Sequence, residues 1–119
     1  MLRPVMRAQF GTRTVAVAIS VAAAIGLAAA VARAETIRVE VKSLAFSPAQ
    51  VTARVGDTIE WANSDFIAHT ATAKTREWDV QLPVNSKKTL VLKKAGTIEY
   101  FCRFHPNMTG ILTVEEARR

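Results

Sequence analysis

The chain reads as all-β, a Greek-key β-sandwich preceded by an N-terminal signal peptide, and three observations predict this. Beyond Glu35 the apolar residues recur with a period of two in short stretches, and turn residues interrupt them at intervals of about eight to twelve residues. No stretch of helix length there carries a 3.6-residue period. Ahead of Glu35 the composition changes to a basic start followed by an apolar run.

The leader comes first. Met1 to Thr14 carries Arg3, Arg7 and Arg13 and no acid, Val15 to Ala32 is an Ala/Val/Ile run, and Ala32-Arg33-Ala34 has small residues at both positions a signal peptidase reads. Cleavage is expected after Ala34, which makes residues 1–34 a signal peptide and residues 35–119 one small domain. The run approaches the length of a minimal membrane span, so an uncleaved anchor is the alternative; its Ala richness and the small-residue site favour removal. The leader holds no adjacent Arg pair, which points to the general secretory route and the periplasm.

Removing the leader changes the charge. The whole chain holds sixteen basic and ten acidic residues, and four of the basic ones (Arg3, Arg7, Arg13, Arg33) precede the cut, leaving twelve against ten. A net charge of +2 gives no case for nucleic acid, which needs Lys and Arg clustered on one face. The remaining 85 residues bury limited surface, and domains of that size often lean on a disulfide or a metal. A single Cys excludes an internal disulfide.

Ile37, Val39 and Val41 alternate with Arg38, Glu40 and Lys42, which predicts a half-buried first strand. Phe46-Ser47-Pro48-Ala49 breaks it. Gln50 to Val55 resumes the alternation through Val51, Ala53 and Val55, and Gly56-Asp57 predicts a hairpin turn into a strand over Thr58 to Asn63, with Ile59 and Trp61 on one face. Asn63-Ser64-Asp65 is loop-forming. Phe66 to Ala73 is apolar and β-branched and carries His69. Lys74 to Val84 has no period and reads as a surface excursion over one flank. Ser86 to Lys93 alternates again, Ala95-Gly96 turns, and Thr97 to Cys102 places Ile98, Tyr100 and Cys102 on one face, which delivers the sulfur inward at the strand's end. Thr109 to Val114 closes the sheet with β-branched residues. The total is about seven strands.

The chemistry concentrates in Cys102-Arg103-Phe104-His105-Pro106-Asn107-Met108, where a thiol, an imidazole and a thioether stand three residues apart in turn. Each has an ordinary reading alone: Cys102 as a small buried hydrophobe, Met108 as a gap filler, His105 as a turn residue, His69 as a hydrogen-bonded core residue. Together they are the only Cys and the only two His of the chain, with a Met at C-x2-H-x2-M spacing. Two imidazoles and a thiolate with a long bond to Met is the blue-copper donor set. Zinc does not use Met, and structural zinc would want a fourth Cys, His or carboxylate.

The pattern resembles the cupredoxins, the small type 1 blue-copper proteins, over about Ala45 to Glu115. Phe46-x-Pro48 with Val51 and Gly56-Asp57-Thr58 is similar to the family's early strands; Trp61-x-Asn63-x-Asp65 leads to the first His; Gly96-Thr97 and Tyr100-x-Cys102 introduce the ligand loop, which is of the short amicyanin type, with plastocyanin and pseudoazurin as longer-looped relatives. The resemblance implies an eight-stranded Greek-key sandwich, one copper held by His69, Cys102, His105 and Met108 with the Ala68 carbonyl as a distant neighbour, and a role shuttling single electrons. It also implies partners such as a c-type cytochrome or a periplasmic dehydrogenase or oxidase, and a monomer with no stable membrane insertion once the leader is gone. Two positions depart from the family's pattern: Thr70 follows the first His and Arg103 follows the Cys. The charge of Arg103 is expected to favour the reduced site and raise its potential.

Three functions fit copper. An electron carrier is the first, entered through an apolar patch of Phe104, Pro106, Asn107, Phe66 and Pro83, with Lys74, Arg76, Lys87, Lys88, Lys93 and Lys94 as a basic surround that steers acidic partners or simply keeps sheet edges soluble. A periplasmic copper-handling protein, as chaperone or in resistance, is the alternative with the same ligands. A copper enzyme needs further His clusters, and only two His exist.

Overall fold

A computed structural model describes residues 2–6, 11–12, 14–20 and 33–119. Much of the expected leader run Val15 to Ala32 lies outside the described residues. Nine strands lie among the described residues: β1 Thr36–Lys42, β2 Ala45–Ser47, β3 Gln50–Arg54, β4 Thr58–Asn63, β5 His69–Ala73, β6 Asp79–Leu82, β7 Lys87–Val91, β8 Gly96–Phe101 and β9 Thr109–Glu115. They form two sheets, in the orders β2-β1-β4-β7 and β3-β9-β8-β5-β6. Strands β1 and β4 pair in parallel, as do β3 and β9; the other pairs are antiparallel. No helix occurs among the described residues. Among the described residues, every strand and every core residue lies between Thr36 and Glu115.

The period-two reading of β1, β3, β4, β8 and β9 agrees with burial. Val39 and Val41, Val51 and Ala53, Ile59 and Trp61, Tyr100, and Leu112 and Val114 all face the interior. Two expectations are corrected. The Gly56-Asp57 turn does not make a hairpin: β3 and β4 belong to different sheets, and the turn carries the chain across the sandwich. Gly56 has φ +98°, a conformation that suits glycine, and its N–H donates to the Leu92 carbonyl at 2.7 Å. Lys74 to Val84 is not wholly surface. It contains β6, whose Leu82 is fully buried, and Trp78 packs into an aromatic cluster with ring centroids 5.6 Å from both Trp61 and Tyr100.

Tyr100 is the centre of that cluster. Phe46 meets its ring edge-on at 4.7 Å, and Trp61 Nε1 donates to its hydroxyl at 3.4 Å. Burial pushes the Tyr100 hydroxyl up to about 12, outweighing the Trp61 hydrogen bond, so the phenol stays neutral. Across the ladder Tyr100 faces Gly110. A Cβ at Gly110 would overlap the hydroxyl end of the tyrosine side chain, 2.6 Å from both Cε1 and the hydroxyl oxygen, and the ring is held on its other sides by three aromatics. Gly110→Ala is therefore expected to destabilise the domain by about 2–3 kcal/mol, lowering Tm by about 10 °C or more in a thermal melt. An unchanged Tm would mean that the ring has room to move.

Candidate metal centre

The centre forms where β5 begins and β8 ends, beyond the paired residues Thr72 and Phe101. His69 is the first residue of β5, and Cys102 directly follows β8. After Cys102 the chain makes two successive turns: the His105 N–H donates to the Cys102 carbonyl at 3.2 Å and the Met108 N–H donates to the His105 carbonyl at 2.8 Å. Turns of this i→i+3 type bring side chains three residues apart onto one side. The C-x2-H-x2-M spacing thus aims three donors the same way. The Cys102 N–H donates to the Met108 carbonyl at 3.0 Å and closes the loop into β9.

Cys102 Sγ lies 3.6 Å from His69 Nδ1 and 3.8 Å from His105 Nδ1. These three donor atoms all fall within 4.8 Å of one another. A nitrogen and a sulfur bound to one ion at roughly 2.0 and 2.3 Å, about 120° apart, stand about 3.7 Å from each other. The spacing therefore fits a single metal in a trigonal set. Cys102, His69 and Met108 are buried and His105 is partly exposed. All four residues singled out from the sequence come to this one end of the sandwich.

The surroundings fix the ligand orientations. His69 Nε2 lies 2.7 Å from Asp65 Oδ2. A carboxylate accepts, so Nε2 carries the proton and Nδ1 is left bare toward the sulfur. Asp65 is fixed in turn: Oδ1 accepts from the Ser43 N–H at 2.6 Å and Oδ2 from the Leu44 N–H at 3.2 Å. Burial pulls the Asp65 carboxyl up, but those two N–H groups and His69 outweigh it and hold it below the usual carboxylate range. Ser43 and Leu44 form the two-residue turn between β1 and β2, with φ 53° and 57°. Such a turn normally uses Asn or Gly; here the Asp65 carboxylate compensates. Asn63 secures the same loop. Its Nδ2 donates to the carbonyls of Ile67 and Leu82 at 3.0 and 2.9 Å, while its Oδ1 accepts from the Asp65 N–H at 2.9 Å.

The two departures from the family's pattern form one network. The Thr70 N–H donates to Cys102 Sγ at 3.4 Å. The Arg103 N–H donates to Thr70 Oγ1 at 2.9 Å, Thr70 Oγ1 lies 2.9 Å from Thr72 Oγ1, and Thr72 Oγ1 donates to Asp79 Oδ1 at 2.6 Å. Since Thr72 spends its proton on the carboxylate, Thr70 is the donor between the two hydroxyls. The Arg103 guanidinium returns to Asp79 through Nε and Nη2, both at 3.2 Å. Thr72 chiefly, with Arg103 adding, holds the Asp79 carboxyl below its ordinary range against the opposing effect of burial. Arg103 is thus half of an ion pair and not an isolated cation beside the ligand loop.

Around His105 the surface is apolar. A hollow is lined by Leu44, Phe104, His105, Pro106, Asn107 and Met108, and Phe66, Ile67 and Val84 are also exposed. The sequence pointed to Phe66, Pro83, Phe104, Pro106 and Asn107, of which Phe104, Pro106 and Asn107 line the hollow. Leu44 and Ile67 escaped it, because neither the Ser43-Leu44 turn nor the loop before His69 carries a residue pattern that signals exposure. Of the six cations considered for steering, Lys74 pairs with Glu99 at 2.7 Å, Lys94 pairs with Glu77 at 3.5 Å and Arg76 lies over the Phe101 ring. Lys87, Lys88 and Lys93 make no ion pair among the described residues.

The chain is similar to known proteins. Amicyanin-alpha of Methylorubrum extorquens is 30% identical over 90 residues, spanning 71% of this chain and 76% of that protein. Amicyanin of Paracoccus denitrificans is 28% identical over 85 residues, spanning 66% and 65%. A reduced amicyanin variant superposes with a TM-score of 0.60 at 28% identity, over 67% of this chain and 82% of that one; a Cu(I) form of another variant gives 0.60 at 26% over the same shares. His69, Cys102, His105 and Met108 are positioned as ligands of one type 1 copper. With residues 15–114 matching the cupredoxin-like domain, and the two-sheet fold and donor set in agreement, the chain belongs to the cupredoxin family.

Proposed function

We propose that this chain is a small exported type 1 copper protein that shuttles single electrons between redox proteins in the periplasm, with His69, Cys102, His105 and Met108 as the ligands. The observation that carries this reading is the convergence of three donor atoms within 4.8 Å at a buried thiol. Copper bound there supplies a one-electron couple between Cu(I) and Cu(II). The chain's own residues hold the donors still: Asp65 keeps His69 in one tautomer, Thr70 steadies the thiolate, and the paired turns fix Cys102, His105 and Met108. Small rearrangement favours fast exchange. His105 is the partly exposed member of the four and sits in the apolar hollow, so it is the exit for the electron. Small apolar surfaces suit brief docking, and a c-type cytochrome or a periplasmic dehydrogenase or oxidase is the class of partner.

The test separates carriage from copper handling. Copper-loaded, reduced protein is offered both a c-type cytochrome and a Cu(I)-selective chelator. Copper retained through repeated cycles of electron exchange is the expected result. Loss of Cu(I) to the chelator without electron exchange would move the assignment to copper handling.

Arg103 gives a second test. A unit charge about 10 Å away at an effective dielectric constant of about 40 does about 0.8 kcal/mol of work, a few tens of millivolts in a one-electron couple. Arg103→Ala, which leaves Asp79 unpaired, is expected to lower the potential by roughly that amount. Arg103→Ala with Asp79→Asn is expected to return most of it. Redox titration of both variants checks this; an equal fall in both would show that the pair does not act as a neutral unit.

A further inference from the structure

At the other end of β4 from the metal centre, in the turn after β3, Asp57 is a fully buried carboxylate. Its Oδ1 accepts from the Glu35 N–H at 2.9 Å and from Arg118 Nη1 at 2.6 Å. Its Oδ2 accepts from the Arg54 N–H at 2.9 Å. The Glu35 carbonyl accepts from the Thr58 N–H at 2.8 Å, one step ahead of the Thr36–Thr58 pairing. The Glu35 nitrogen is therefore placed by the sheet itself. Arg33, Ala34 and Glu35 are all exposed, and the first two border a shallow cleft with Val55, Gly56, Ala117 and Arg118.

The N–H that meets Asp57 belongs to the residue on which the leader pattern puts the new chain end. We propose that Asp57 is the receptor for the α-ammonium group released when the Ala34–Glu35 bond is hydrolysed, so that processing turns a neutral hydrogen bond into an ion pair and locks the start of β1. In that step water adds across the peptide bond: Ala34 leaves as a carboxylate and the Glu35 nitrogen becomes the ammonium. An ionised pair bonds more strongly than an amide to the same carboxylate. The proposal rests on the cleavage position and is independent of the copper assignment.

The charged groups facing the new terminus are few. Arg118 approaches from the C-terminal tail and also reaches the Glu35 carboxylate at 3.4 Å; the Arg54 guanidinium is turned to Glu115 at 3.4 Å; Arg33 departs with the leader. The Arg118 hydrogen bond, opposed by burial and assisted by the Glu35 and Arg54 N–H groups, holds the Asp57 carboxyl down to about 2. The receptor is thus ionised at every ordinary pH. An α-amine paired with it titrates above its usual value of about 7.7–8.0. A raised folded-state pKa gives stability that is full below the unfolded value and is lost as pH rises through the folded one. On the acid side the contribution fades as pH falls below 3.8 toward about 2.

The experiment compares residues 35–119 with a free Glu35 amine, the same polypeptide with that amine acetylated, and residues 34–119. A pKa raised by one unit is about a tenfold gain in folding constant. At pH 6 the free form is therefore expected to melt about 5 °C or more above the other two, with the gap closing by about pH 10 and absent between Asp57→Asn versions. Should Asp57→Asn fail to fold, NMR titration of the Glu35 amine in the unaltered sequence decides: a value at least about one unit above the normal range supports the pair. Equal melting of all three forms, or an amine titrating in the ordinary range, overturns it.

Discussion

Cys102→Ser is expected to remove the intense visible absorption of the copper-loaded protein and to weaken copper binding by more than about 100-fold. Loss of a group that merely orients a ligand typically costs 10–100-fold, and here the only thiolate goes. The side chain is fully buried and accepts the Thr70 N–H, a role that a hydroxyl of nearly the same size can take over. The metal-free variant should therefore keep its fold and melt within a few degrees of the parent. Copper titration and thermal melts separate the two effects. Retained colour would place the absorbing thiolate elsewhere, and the chain has no other Cys.

Asp65→Ala is expected to produce the second largest change. It strips His69 of its orienting acceptor and the Ser43-Leu44 turn of the carboxylate that holds both its N–H groups. Copper affinity should fall 10–100-fold. Stability should fall by about 2 kcal/mol, since hydrogen bonds to a charged group are lost and the turn keeps its unfavourable φ values; that is about 10 °C in Tm. Asp65→Asn is the informative contrast. In the orientation that keeps its oxygen on Ser43, its amide replaces Oδ2, gives up the Leu44 N–H and faces His69 Nε2 as a donor, which forces the proton onto Nδ1 where the metal should bind. The Asn variant is expected to keep more of the stability than Ala while losing comparable copper affinity. If Asn binds copper as tightly as the parent, the tautomer argument is wrong.

The four ligands were legible because the residue types are scarce and the loop spacing matches a turn period. Most strands were legible for a related reason: Val39 and Val41, Ile59 and Trp61, and Tyr100 and Cys102 alternate cleanly with polar neighbours. Strand β6 was not. Asp79 to Leu82 alternates, but four residues are too few to stand out from the irregular stretch around them. The Gly56-Asp57 signal marked a turn correctly and its destination wrongly, because a turn residue states that the chain bends and not which sheet it enters. Polar side chains with remote partners were the least readable. Asp65 lies four residues before His69 in a recognisable motif, yet its link to Ser43 and Leu44 spans some twenty residues. Thr72 and Asp79 become neighbours only through the β5–β6 register. Arg103 looked like a free cation for the same reason: its partner is 24 residues away.

The most direct measurement is to add Cu(II) to purified residues 35–119 and record the visible and electron spin resonance spectra. One equivalent should give an intense visible band with the narrow copper splitting of a thiolate-bound type 1 site. A pale solution with an ordinary Cu(II) resonance would contradict a shared site for the His69, Cys102, His105 and Met108 side chains.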